Sequence, residues 1–433
     1  MEKTGEAKMM GVYPMHQYKM ANGLQALLVE NPISPVAAVL LHYRVGSAQE
    51  KDPERGLAHF FEHMMFRETA TLQDGDFDRI VAECGGVGLN AFTSYDTTAY
   101  HVNVPADRIE RVLELEADRM ENLRLSPDLI DKERGAVLGE LHMYQDMPSE
   151  QHWEALMEES FQTHPYRHPI IGYSRLVEAF GKEDFTQFYK RHYAPDRAVL
   201  VVVGGFPLEQ VRDTIQRVFG KIPPGGGGEP PAPPEPLPAA PRRRVITHPK
   251  ITSENLYTAV HAPGISHPDA PALFLLSWLL SGGQSSPFHL RLVEGGLATE
   301  ASATLLDAEW GMVSPSLFLM DVSLQQGVPA ERAEEELDKM IGEWLEGGIP
   351  PEEMERAVNQ LRLAHYEGLQ SNMRLARAIG SGVVSCGDPL FGQRMEEAAR
   401  QLTPEQLRET LARYWTGRPR ITVIQRPEEG KQS

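Results

Sequence analysis

Residues 223–244 read PPGGGGEPPAPPEPLPAAPRRR and carry no periodic apolar pattern. Proline locks its own φ and donates no backbone hydrogen bond, and glycine is costly to order, so the segment reads as a linker. It divides the 433-residue chain nearly in half. A chain of that length suits two domains of about 200 residues each. We therefore expect domains over 12–222 and 245–428, joined by the linker 223–244.

The two halves share a pattern. Residues 106–123 (ADRIERVLELEADRMENL) have helical apolar spacing and are followed by Ser126-Pro127 and a second helix from Asp128. Residues 330–345 (AERAEEELDKMIGEWL) are followed by Pro350-Pro351 and a helix from Glu352. In the same way 185–193 precedes an apolar strand at 198–203, and 407–415 precedes one at 420–425. A repeat of about 220 residues indicates a duplicated domain rather than a short-repeat solenoid. Segments 23–30, 36–45 and 99–104 read as strands, the last by its apolar–polar alternation. Strands mixed with helix pairs, without regular βαβ alternation, predict an α+β class. Two homologous α/β sandwich domains are expected, each a mixed, mostly antiparallel sheet with helices packed on it.

Apolar residues make up 41% and charged residues 24%, which fits a folded chain rather than a disordered one. The formal net charge of −19 repels phosphate backbones and anionic lipid, so neither nucleic acid nor a membrane surface is an expected partner. Cys84 and Cys386 are too few for a disulfide framework or a cysteine-rich zinc site. The longest apolar stretches, 198–203 and 272–280, are too short to span a bilayer, so no membrane insertion is expected. The N-terminus, MEKTG, lacks the apolar core of a signal peptide. A cytoplasmic location follows, or a periplasmic one if a signal has been removed.

Residues 56–66 (GLAHFFEHMMF) read as a buried helix. His59 and His63 are four apart and Glu62 is three after His59, so all three project from one face. Two neutral imidazoles suit zinc, and a carboxylate beside the metal, not bound to it, can take a proton from an attacking water. The order H-x-x-E-H is the inverse of the commoner H-E-x-x-H. Composition alone gives at most about 0.07 such matches in a chain of this length. Two core histidines and a solvated glutamate would be the bland alternative, but a glutamate on an apolar helix is costly to bury without a partner. A catalytic zinc site needs a third protein ligand and leaves one position open. The segment 131–143 (DKERGAVLGELHM) offers Glu133 and Glu140, nearly two helical turns apart and on one face. One would bind the metal and the other support it by hydrogen bonding. His142, two after Glu140, faces away and is read as structural.

With these residues the sequence resembles the pitrilysin-type (M16) metallopeptidases, which include mitochondrial processing peptidase and insulin-degrading enzyme. The resemblance covers nearly the whole chain. It makes Glu140 the third zinc ligand, with Glu133 behind it, and Glu62 the base. Residues 85–100 (GGVGLNAFTSYDTTAY) resemble the family's segment after the zinc helix, and 164–172 (HPYRHPIIG) resembles another family segment. The first implies an edge strand at Asn90, Ala91 and Phe92 that pairs with the substrate backbone. Placing Pro350-Pro351 on Ser126-Pro127 sets Ala364 opposite Glu140 and Ala357 opposite Glu133, so the second half lacks the ligands.

The resemblance further implies that the two domains form one half-shell of a clamshell whose chamber admits unfolded or short peptides. One departure stands out. Family members carry an arginine and, seven residues later, a tyrosine in the other half-shell. Here Leu292 and Thr299 fall at those positions, with Arg291 one position off. The expected activity is a zinc-dependent endopeptidase, one zinc per chain. Its expected state is a heterodimer with a homologous subunit that keeps the arginine–tyrosine pair, a homodimer being the runner-up. The competing functions are a non-catalytic structural subunit of the same fold and a zinc-stabilised peptide-binding module.

Overall fold

The structure is a computed structural model that describes residues 1–9, 12–226, 232–306 and 312–428. By packing, it divides into two units, and neither is a continuous half of the chain. The first comprises 1–142, 168–232 and 368–392, and the second 143–167, 233–367 and 393–433. The spans 12–222 and 245–428 read from the sequence differ from these units by two exchanged segments.

The first unit opens with strands β1 (Glu2–Met9), β2 (Tyr13–Lys19), β3 (Gln25–Glu30) and β4 (Val36–Tyr43). Helices α1 (Leu57–Met64) and α2 (Asp76–Glu83) lead to β5 (Val87–Thr93) and β6 (Thr98–Pro105). Then come α3 (Ile109–Asn122) and α4 (Pro127–Gln145). Helix α5 (Pro148–Ser160) belongs to the second unit. The chain returns with α6 (Ser174–Ala179), α7 (Lys182–His192), β7 (Ala198–Gly204) and α8 (Leu208–Phe219). The second unit continues with β8 (Arg242–His248), β9 (Asn255–Ala262), α9 (Ala270–Ser281), β10 (Ala298–Leu305) and β11 (Ser316–Leu324). Helices α10 (Ala330–Gly347) and α11 (Pro351–Gly368) follow, then α12 (Asn372–Cys386), α13 (Phe391–Arg400), α14 (Pro404–Leu411) and β12 (Ile421–Pro427).

The first sheet has the order β1-β2-β3-β7-β4-β6-β5 and the second β10-β11-β9-β12-β8. Strand β3 runs parallel to β7, and the pairs β7–β4, β4–β6 and β6–β5 are antiparallel. In the second sheet β8 runs parallel to β12, and β12–β9, β9–β11 and β11–β10 are antiparallel. The two sheets therefore share one topology over five strands, and β1 and β2 extend the first. This is the duplication that the sequence repeat predicts, in the mixed, mostly antiparallel α+β form expected.

Both exchanged segments carry a helix that covers a sheet. Helix α12 lies across β4 and β7. Its Leu375, Ala376, Ile379 and Val383 join a core with Leu40, Ala99, Val199 and Val201. At its closest approach a Cβ on Gly380 would stand 2.5 Å from the His42 ring, so only glycine fits there. Helix α5 covers β12, β8 and β9 in the same way. Of the expected linker, 227–231 lie outside the described residues. Its Glu235 accepts from the amides of Gln162, Thr163 and His164, and its last three residues begin β8. Among the described residues, no helix is long and apolar enough to cross a membrane.

Candidate metal centre

Helix α1 begins at Gly56, whose φ of +105° suits glycine. A side chain there would meet the backbone of Ile171 and Gly172, and one on Gly172 would meet Arg55 and Gly56. Two glycines thus let segment 168–172 close on the helix start. The first amides of α1 are satisfied by a residue the sequence gave no reason to select. Glu50, 4% exposed, accepts from Gly56 N at 3.0 Å and Ala58 N at 2.7 Å. Burial pushes its carboxyl up to about 8, opposed by those two amides. The positive end of the helix also favours the carboxylate there.

One face of α1 carries His59, Glu62 and His63. Glu140, from α4, completes a group with the two histidines whose ligand atoms all lie within 4.8 Å of one another. Its Oε2 is 3.6 Å from His59 Nε2 and 3.3 Å from His63 Nε2. A tetrahedral ion with bonds of roughly 2.1 Å separates its ligand atoms by about 3.4 Å, so the donor set fits zinc in number, chemistry and spacing. Glu133, two turns earlier on α4 and buried, accepts from His63 Nδ1 at 2.9 Å. Its other oxygen meets Arg67 Nη2 at 2.6 Å, and Arg67 also reaches Asp74. Of the two glutamates that the residues alone left undecided, Glu140 is the one aimed at both Nε2 atoms, and Glu133 lies behind the ring.

The electrostatics favour a cation. Burial lowers the affinity of His63 for a proton, but the carboxylates of Glu133 and Glu140 outweigh it and raise the imidazole to about 9. Glu133 is pushed up by burial, yet His63 and Arg67 leave it below the usual carboxylate range. Glu62 stands apart from the three-donor group, and its Oε2 accepts from Thr93 Oγ1 at 2.7 Å. Its carboxylate is therefore oriented by Thr93, outside the three-donor group.

Thr93 ends β5, which forms one edge of the first sheet. Asn90, Ala91 and Phe92 lie on that strand, opposite His101, Tyr100 and Ala99 of β6. Asn90 is exposed, and its own carboxamide oxygen takes the Ala91 amide at 2.9 Å. Phe92 lies on the sheet face opposite that of Thr93, the face shared with Asn90, towards the core beneath α12. Sequence reading missed Glu50, Arg67 and Thr93. Arg67 had a usable signal in its spacing, four residues after His63 and just past the end of α1. Glu50 had none, because it runs into Lys51, Asp52 and Glu54, which read as surface.

In the second unit Ala357 is buried on α11. Leu292 is fully buried and Thr299 exposed. Arg291 is gripped by Glu336 at 2.6 Å and Glu343 at 2.5 Å.

Residues 25–174 match the family described as insulinase (peptidase family M16), and residues 179–361 match the M16 inactive domain. A zinc protease, PqqE, of Helicobacter pylori is 28% identical over 370 residues, covering 84% of this chain and 82% of that protein. The mitochondrial-processing peptidase subunit beta of Lentinula edodes is 24% identical, covering 91% of this chain and 86% of its own. The crystal structure of a protease from Helicobacter pylori superposes with a TM-score of 0.89 at 25% identity, over 96% of this chain and all of that one. With two adjoining M16 matches spanning residues 25–361 and protease relatives along nearly its whole length, this chain belongs to the M16 peptidase family.

Proposed function

We propose that the chain is a zinc-dependent endopeptidase for unfolded or short peptides. The observation that carries this is the convergence of His59, His63 and Glu140 with a non-ligating Glu62 held beside them. Zinc in that group would supply Lewis acidity, making a water more acidic and polarising a peptide carbonyl. His59, His63 and Glu140 would hold the ion, their Nε2, Nε2 and Oε2 atoms being the ones that converge. Glu133 fixes the His63 ring through Nδ1 and keeps that nitrogen the protonated one. Glu62 accepts the proton of the attacking water and passes it to the departing amine. The open edge at Asn90, Ala91 and Phe92 takes the peptide as an added strand, so that main-chain hydrogen bonds set its register.

The match to the inactive domain covers 179–361, which holds none of these residues, so it does not weigh against catalysis by the first half. We read 12–222 and 245–428 as the duplicated halves, the first bearing the site. The working state in this reading is a heterodimer with a homologous subunit. Leu292 and Thr299 stand where the family pair is expected, and Arg291 is already occupied by two glutamates.

Fluorogenic peptide hydrolysis, paired with elemental analysis, tests the proposal. Glu62→Gln is expected to retain zinc and lose at least about 1000-fold in rate, since metal and base act as a unit. Glu140→Ala is expected to lose stoichiometric zinc. Activity of Glu62→Gln within tenfold of the parent would remove Glu62 from the mechanism, and full zinc in Glu140→Ala would remove Glu140 from the ligand set.

A further inference from the structure

Helix α12 carries two arginines, Arg374 and Arg377, and no acidic residue, in a chain of net charge −19. Both are exposed and three apart, so they share a helix face. Arg377 reaches the edge of the first sheet. Its Nη2 is 2.6 Å from His101 Nε2, and its guanidinium lies 5.3 Å from the centre of the Phe92 ring. Among the described residues neither arginine pairs with a carboxylate. Other arginines of this unit do, as Arg67 with Glu133 and Arg191 with Glu54. Burial and the neighbouring Arg377 hold His101 down to about 4, so His101 is neutral at pH 7. The positive charge at this end of β5 is therefore uncompensated.

Phe92 and Asn90 share the sheet face that carries His101, because alternate residues of a strand point the same way. A peptide added to the open edge of β5, in either direction, places every second side chain on that face, next to Phe92. We propose that Arg377, with Arg374 one turn behind it, forms a subsite that selects an acidic side chain of the bound peptide. The inference rests on the reading of β5 as the peptide-binding edge. The Phe92 ring holds the guanidinium in place, and His101 takes one of its donors. The other donors remain for a carboxylate.

The test uses the full chain as Glu62→Gln and a set of fluorescein-labelled decapeptides, otherwise uncharged and C-amidated. Asp, Asn or Lys is scanned through each position, and binding is read by fluorescence anisotropy. At one position, or at positions two apart, Asp is expected to bind about fivefold tighter than Asn, the size of a well-formed exposed ion pair. The gap should narrow as salt rises. Arg377→Lys should keep the preference and Arg377→Glu should turn it into one for Lys, which a merely structural role would not do. As a second readout, the Asp peptide should raise the titration of His101 followed by NMR.

A flat Asp/Asn ratio at every position, or an Asp preference that survives Arg377→Glu, would overturn the subsite. A parent chain that cleaves nothing yet shows the Arg377-dependent preference would overturn the peptidase reading and leave the subsite standing. Normal cleavage with a flat ratio would do the reverse.

Discussion

His63 shows how one residue is specified by several others. Its Nε2 faces Glu140, its Nδ1 faces Glu133, and Glu133 is in turn held by Arg67. His59 lacks such support, since among the described residues its buried Nδ1 has no hydrogen-bond partner. The ring of His63 is therefore the one whose orientation depends on a second carboxylate. Glu133→Gln keeps the shape and weakens the acceptor. It is expected to lower zinc affinity about 10–100-fold while leaving the stoichiometry at saturation unchanged, as competition with a chromophoric chelator would show. Unaltered affinity would reduce Glu133 to a partner of Arg67 alone.

At the level of elements, α12 on the first sheet is an apolar contact with titratable groups sealed inside it. His42 of β4 is fully buried against Gly380, and His101 of β6 is buried beside Arg377. Arg44, just past the end of β4, donates to the carbonyl of Val383 in α12. Burial first, then Arg377, lower His42 to about 3 and His101 to about 4, with Arg44 adding to the lowering of His42. Both are neutral in the folded chain, whereas in the unfolded chain they bind protons below about pH 6.5. The unfolded state thus holds more protons in that window. Stability is full above about pH 6.5 and falls as the pH drops toward 4, by about 1 kcal/mol per pH unit for each histidine. Urea midpoints should be clearly lower at pH 5 than at pH 7, and less so in His42→Gln. Equal midpoints for the parent at the two pH values would exclude this account.

For the whole molecule, the shared strand order of the two sheets makes the division of labour plain. Unit one sets its candidate metal donors where α1 meets α4, and at the matching places on α11 unit two has Ala357 and Ala364. Leu292 is buried, Thr299 is not a tyrosine and Arg291 is already paired, so among the described residues positions 292 and 299 offer no arginine–tyrosine pair. Mixing the chain with a homologous subunit that keeps the pair is expected to raise peptide hydrolysis at least about tenfold, because enclosing and orienting the peptide lowers the barrier. Titration of activity against the partner, with mass measured in solution, checks this. A fully active homodimer that gains nothing from a related subunit would reject it.

Much of the site could be read directly from the chain, for a geometric reason. Within one helix, spacing sets direction, so His59, Glu62 and His63 share a face in any fold that keeps the helix, and so do Glu133 and Glu140. The duplication was legible too, because both halves repeat the same order of helices and strands. Spacing says nothing about which elements meet. The resemblance to a family named Glu140 as the ligand, and only the docking of α4 beside α1 sets Glu140 on the histidines and Glu133 behind them. The capping of α1 by Glu50, and the passage of 143–167 and 368–392 to opposite units, had no local signal either. Each depends on an apolar face or a row of amides finding its complement across a long stretch of chain, and that is decided when the sheets and helices pack.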